Sequence, residues 1–364
     1  MNRRWLCSDV LMDIFPSFER VELGLKMALL SDRFDVLVDT HFNGKMELTI
    51  WKAITIIKYT ARPKAKLCAG WNAVEFPLPD RPLPIKMRFK NLRIEYIDHS
   101  VIAFLRSNKH IWDRMGIRLE LSTANVQPIW DVFISQIWPI FATNIRHSRF
   151  AGHIHLDNLR HDISPTILTD LDHLNAIDSG LLLPDPICDD GPNATAGQAL
   201  SKWLHTPSKD GQLKELRCNG YLGSPDLEWI NNFKEAFLRA ITSSSYIIQL
   251  IFHTIPKPNE PFELVNKRTN EKLILWKNSE HNWLLKRCPI GETATDQWKD
   301  ENWENNLNNV KFELWRDNHS IGPLSPPAEE KEEADESKFS GSLITNPTPI
   351  STNSEPRTRI RTKS

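Results

Sequence analysis

The apolar positions of the first forty residues fall into three short helical phases. Leu11, Ile14, Phe15 and Phe18 recur at i, i+3, i+4 and i+7, one stripe of a 3.6-residue period. Ser8 is placed to cap this helix, Asp9 puts negative charge in its first turn, and Pro16 stops it within two turns. Leu23, Met27 and Leu30 form a second stripe, and Ser31 offers a cap for a third that carries Phe34, Leu37, Val38 and Phe42. Helices this short cannot bury all their apolar surface against one another. At ~25 cal/mol per Å² the remainder calls for a partner or for the rest of the chain.

Further on, the period alternates between two and 3.6. Residues 48–57 read as strand or as a short buried helix, and Pro77, Pro79, Pro82 and Pro84 as an extended connector. Residues 92–97 and 117–121 alternate like half-buried strands. Amphipathic helices follow them, one with Val101, Phe104, Leu105, Ile111 and Trp112, the other with Trp130, Phe133, Ile134, Ile137, Trp138 and Phe141. Residues 145–150 and 153–156 read as a strand pair, 163–171 as a helix, and 174–177 and 213–218 as short strands around a helix at 199–204. A helix with Phe233, Phe237, Leu238 and Ile241 precedes an apolar strand at 246–252. A three-stranded antiparallel meander then runs from Pro261 to Ile290, with turns at 268–271 and 278–281. Trp298, Trp303, Phe312 and Trp315 suggest a closing helix. The fold class implied is α+β or α/β, a parallel sheet with helices on one side. It is similar to a degenerate leucine-rich-repeat arc, with an ordinary α/β domain as the competing reading.

Composition narrows the chemistry. The 364 residues carry 45 basic and 46 acidic side chains, a balance that argues against a broad nucleic-acid surface. Cys7, Cys68, Cys188, Cys218 and Cys288 are scattered without CxxC spacing, which argues against a disulfide framework or zinc site and fits a reducing compartment. No signal-peptide core and no apolar run of about 18 residues occurs, so no membrane span is expected. His147, His153, His155 and His161 lack a carboxylate or cysteine at ligand spacing, and the metal reading is set aside. Trp203, His205, Thr206 and Asp210–Gly211 tempt as a catalytic His/Asp pair. No nucleophile elbow or phosphate-cradling loop accompanies them, so a capped helix end with an Asp–Gly turn is preferred. The Asn193 and Asn318 sequons and the basic residues from Arg357 to Lys363 are read as chance and as a solvated tail. From about Asn318 the acidic run at 329–333 and the Ser, Thr, Asn and Pro that follow predict a disordered tail outside the core.

The ordered set Leu6, Leu11, Ile14–Phe15, Glu22–Leu23, Leu30–Ser31–Asp32–Arg33–Phe34 and Leu37 resembles an F-box, the three-helix motif that docks on a Skp-type adaptor. It departs from the usual pattern at Cys7, where proline is common, at Phe34, where tryptophan is common, and at Pro16. The stretches IDHSVIAFL, AGQALSKWLHTP, KELRCN and PFELVNKRTNEKLILWKNSEHNWLLKRCPI extend the likeness to an expanded nematode family of F-box-domain proteins, as far as about Trp315. The resemblance implies an F-box at 1–45, an α/β target-recognition domain at 46–317 and a tail at 318–364. It implies a substrate receptor of an SCF-type ubiquitin ligase, cytoplasmic or nuclear, without catalytic residues, cofactor or metal. Leu6, Leu11, Ile14, Phe15, Leu23, Leu30 and Phe34 would hold the adaptor, and through it the cullin, while the second domain holds an unidentified target. A binding module that works without cullin is the alternative. An enzyme is the weaker third reading.

Overall fold

The computed structural model describes residues 7–42, 48–58, 66–69, 74–84, 87–113, 116–122, 127–150, 153–220, 227–252, 260–292, 307–314 and 321–325. The N-terminal part is helical. Helix α1 (Ser8–Ile14) gives way to a 3₁₀ turn at Phe15–Ser17, where Pro16 ends it as expected. Helix α2 (Arg20–Glu22) continues through a π turn (Leu23–Met27) and a 3₁₀ turn (Ala28–Leu30). Helix α3 (Asp32–His41) starts where Ser31 Oγ accepts a hydrogen bond from the Phe34 amide at 3.4 Å. Ser8 is not a cap: it is the first residue of α1, and its hydroxyl accepts from Arg33 at 3.2 Å.

Strands β1 (Leu48–Ile57), β2 (Lys66–Ala69), β3 (Val74–Pro77) and β4 (Met87–Ile94) come next. Helices α4 (His99–Ser107) and α5 (Lys109–Asp113) lead to β5 (Ile117–Leu121). Asp98 caps α4 by accepting from the Ser100 and Val101 amides at 2.9 and 3.0 Å. Helix α6 (Gln127–Val132) widens into a π turn and resumes as α7 (Trp138–Phe141), because Pro139 has no amide proton for the regular ladder. Then come β6 (Ile145–Phe150), α8 (His153–Asp162), α9 (Ile167–Asp170) and β7 (Ala176–Asp178). Helix α10 (Ala196–His205), opened by a Thr195/Gln198 capping box, precedes β8 (Lys214–Gly220), and α11 (Leu227–Arg239) precedes β9 (Tyr246–Phe252). The chain closes with β10 (Phe262–Asn266), β11 (Glu271–Lys277), β12 (Asn282–Pro289) and β13 (Asn308–Phe312).

These strands build one 13-stranded sheet in the order β10-β11-β12-β9-β8-β7-β6-β5-β13-β4-β1-β2-β3. From β1 to β9 the run is parallel, and the antiparallel strands β2–β3 and β12–β11–β10 finish its two ends. From β5 to β9 each strand is laid beside the last in the same direction, so the crossovers turn the same way and their helices gather on one face. There Phe89 stacks on Trp112 at 6.0 Å, Phe312 meets Phe133 at 5.3 Å, and Tyr246 meets Phe233 at 6.4 Å. At the far end a buried pair ties the meander to α11. Arg287 donates to Glu271 at 2.6 Å and to the Thr242 carbonyl at 2.6 Å, with its guanidinium 5.3 Å from the Phe237 ring.

Several expectations need correction. Residues 153–156 are helix, not strand: Leu156 and Leu159 are buried one turn apart, a period that the short HIHL alternation hides. Phe312 belongs to a strand, because it is buried with Val310 at a period of two. Trp298, Trp303 and Trp315, the rest of the expected closing helix, lie outside the described residues. The N-terminal helices do not form a core of their own. Leu11, Phe15, Val21 and Leu23 share one buried cluster with the sheet, and the compact unit runs from Met1 to Pro326. Arg81 pairs with Asp32 at 2.9 Å, and Lys26 lies 5.1 Å from the Phe76 ring, so the proline run lies against these helices. Part of the expected tail is also built in. Ile321 bridges Ile97, the Gly322 amide donates to the Ile97 carbonyl at 2.7 Å, and the His99 amide donates to the Pro323 carbonyl at 2.9 Å.

A Cβ added to Gly322 would overlap the Tyr96 hydroxyl, which Lys58 holds at 3.2 Å. Gly322→Ala is therefore expected to cost about 1–3 kcal/mol, read as a lower urea midpoint. An unchanged midpoint would show that this segment does not press on the body.

Candidate functional site

The structure sorts the seven expected docking residues by burial. Leu11, Phe15 and Leu23 are core residues of the chain itself and have no surface to offer. Ile14 and Leu30 are exposed, at 38% and 64%, and Phe34 is half-buried. Leu6 lies outside the described residues. Two further apolar side chains of these helices reach solvent, Val10 and Val36, the latter 63% exposed. They were legible in principle, since each lies off the buried stripe of its helix. With Phe18, five of the thirteen exposed large hydrophobics among the described residues fall between positions 10 and 36. A groove of about 640 Å³ opens beside Leu30, lined by Leu25, Leu29, Pro77, Leu78 and Pro79 and edged by Lys26 and Arg81. The groove places exposed Leu30 beside other apolar side chains, the kind of surface that a partner can cover.

The second candidate is the face of the sheet that the helices leave open. Pairing register aligns Arg93, Lys311, Glu120, Arg149, Asp178 and Arg217 across β4, β13, β5, β6, β7 and β8. Opposite charges stand beside one another along most of this row. Lys311 reaches Glu120 at 3.0 Å and Glu313, which also binds Arg93; Arg149 lies 3.6 Å from Glu120 and 3.3 Å from Asp178. A neighbouring row sets Arg118, His147, Ala176 and Glu215 side by side. His147 is fully buried, and desolvation together with Arg118, Arg217 and Arg149 keeps its imidazole neutral well below the usual range. Toward β9 and β12 the same face is closed, with Ile247, Gln249, Leu284 and Lys286 buried. The accessible part of the face is the charged stretch from β4 to β6, with Arg217 half-buried on β8, while Ala176 and Asp178 on β7 between them are buried.

The polar loop after α10 was the best catalytic candidate in the sequence, and the fold gives His205 a different neighbour. Cys188 Sγ lies 3.3 Å from His205 Nδ1, a contact that resembles a nucleophile and its base. The same Nδ1 is 2.8 Å from the Ser201 carbonyl, which can only accept, so this nitrogen carries the proton. Burial raises the Cys188 thiol and lowers His205 to about 4. The pair is thiol and neutral imidazole, because desolvation of the thiolate outweighs the pull of Lys202 and Arg287 that would activate the cysteine. Asp210 instead holds its own turn, accepting from Ser208 Oγ at 2.5 Å and from the Gln212 amide at 3.2 Å. The histidines weighed for a metal are dispersed: His147 is on β6, His155 is buried in α8 against Trp130, and His161 is exposed. Among the described residues no three His, Cys, Asp or Glu side chains are placed to hold a metal ion. None of the described helices is long and apolar enough to cross a membrane.

No protein family model matches the chain, and no curated protein and no solved structure matches it either.

His205 yields a pH dependence with a definite sign. Its folded value of about 4 lies below the ordinary 6.5, so the unfolded chain takes up the proton first as pH falls. The stability is complete above about pH 6.5 and declines toward pH 4, by up to about 3 kcal/mol for this residue. His205→Asn, which can still donate to Ser201, is expected to narrow the gap between urea midpoints at pH 7.5 and 4.5. His147 keeps the gap from closing. An undiminished gap would mean that His205 does not carry the acid sensitivity.

Proposed function

We propose that this chain is the substrate-recognition subunit of an SCF-type ubiquitin ligase, holding a Skp-type adaptor on its N-terminal helices and a target protein on the sheet-bearing remainder. The observation that supports the reading is that exposed apolar side chains recur on α1, the 20–30 turn and α3, two of them, Ile14 and Leu30, at positions where the F-box resemblance expects contact. On this reading the three N-terminal helices are the F-box. The one-directional parallel run with helices on one face is the leucine-rich-repeat-like arc. The protein performs no chemistry. It brings a bound target to the ubiquitin-loaded enzyme carried by the cullin, and its contribution is proximity, in the cytoplasm, the nucleus or both.

On this reading the exposed side chains do the docking. Leu11, Phe15 and Leu23 shape the helices from within, while Ile14, Leu30 and Val36, with Val10 and Phe18, supply the apolar contact. The open stretch from β4 to β6 is the natural seat for the target. Its charges are already paired with one another, so a partner gains there chiefly by shape and by replacing bound water. Because one core joins helices and sheet, the adaptor and the target are held at a fixed offset.

The shared core also decides how to test the proposal. Cutting the chain near Asn43 would strip Leu11, Phe15, Val21 and Leu23 from that core, so surface substitutions are the cleaner probe. Ile14→Ser, Leu30→Ser and Val36→Ser combined should leave the thermal midpoint within a degree or two, as exposed changes usually do. The same variant should lose a Skp-type adaptor roughly 100-fold in a binding titration, at about 1 kcal/mol or more per buried contact. Adaptor binding at the parental level by the folded triple variant would sink the proposal.

A further inference from the structure

Strands β4 and β5 are consecutive in the chain, yet they do not touch. The crossover through α4 and α5 skips one strand position, and β13 occupies it, parallel to both neighbours. Its contacts have the form of a bound peptide. Residues 309–312 pair with Asn91–Ile94 on one side, and residues 308–312 pair with Ile117–Leu121 on the other. The ladder continues where the Glu313 amide donates to the Ile94 carbonyl at 2.9 Å and the Ser122 amide donates to the Phe312 carbonyl at 3.0 Å. Alternate side chains enter the core: Val310, Phe312 and Leu314 are buried, and Phe312 lies 5.7 Å from Phe141. The intervening Lys311 and Glu313 join the charged row of the open face. Main-chain pairing along both edges, with pockets for every second side chain, is how an extended peptide is recognised by a sheet.

We infer that the gap between β4 and β5 is a strand-binding slot whose resident ligand is the chain's own segment from Leu307 to Leu314. The sheet is complete only when this segment has entered. The slot takes an extended peptide with apolar residues at the Val310, Phe312 and Leu314 positions, whether or not that peptide is covalently joined to the body. Ile321 and Gly322 extend the hold beyond the strand, against Ile97 and Tyr96. Adaptor docking on the N-terminal helices plays no part in this inference.

The experiment uses the full chain with a protease recognition sequence inserted after Asp300. After cleavage the carboxyl-terminal piece should co-elute with the body in gel filtration, with the circular-dichroism spectrum unchanged. A fluorescent synthetic peptide of residues 305–326, added in excess, should then replace it and raise the anisotropy. The same peptide with Val310→Asp and Phe312→Asp should enter roughly 100-fold less well, since two buried side chains are lost. The uncut chain, its slot filled in cis at high effective concentration, should take up the peptide far more slowly than the cut one. The inference is overturned if the cut body loses its fold, or if the native peptide fails to exchange while the cut body stays folded. Equal uptake of the native and Asp-bearing peptides would overturn it as well.

Discussion

The constraint on which the rest of this molecule depends is the single direction in which its parallel strands are laid down. A sheet that advanced both ways from a central strand would be wound with helices on both faces. Here each crossover from β5 to β9 returns on the same side. One face of each strand from β5 to β9 is consequently helix-covered, and the other must be water-compatible wherever nothing lies on it. The burial alternation of β5, with Ile117, Leu119 and Leu121 inside and Arg118 and Glu120 outside, is that division in one strand. The paired charges of the open face are the polar half of the same arrangement.

Much of this was legible along the chain. The alternation at 117–121, the helix bearing Phe233 and Phe237, and the meander after Pro261 each carry a period strong enough to survive tertiary context, and they stand where expected. Asn270, at φ 57° in the first turn of the meander, is a residue type that tolerates that conformation. What failed to show was order in space. No local pattern tells that residues 308–312 pair with strands begun some 190 to 220 positions earlier, because pairing partners leave no trace in the period of either segment. Ile321 and Gly322 look like tail in the sequence for the same reason: their neighbours Ile97 and Tyr96 are remote in the chain.

The N-terminal helices show a different limit. An apolar stripe says which residues leave water but not what they meet. Leu11, Ile14 and Phe15 lie in one stripe, yet Leu11 and Phe15 close onto the chain's own core while Ile14 faces out. Helices of only two turns present so few faces that one residue of phase decides between fold and interface. The same ambiguity surrounded His205, whose sequence neighbours suggested an Asp partner, whereas the folded chain supplies Cys188 and a carbonyl that fixes its tautomer.

The central position of β13 also changes how damage to the gene would read out. In a protein assembled from consecutive neighbours, a premature stop near the end trims a terminal unit and spares what precedes it. Here a stop codon anywhere before Asn308 removes β13 from the interior of the sheet, leaving β4 and β5 with bare facing edges and an empty apolar cleft. Such a lesion lies close to the end of the compact unit on the genetic map. In the cell it would behave as a null allele, exposing two strand edges to aggregation and quality control.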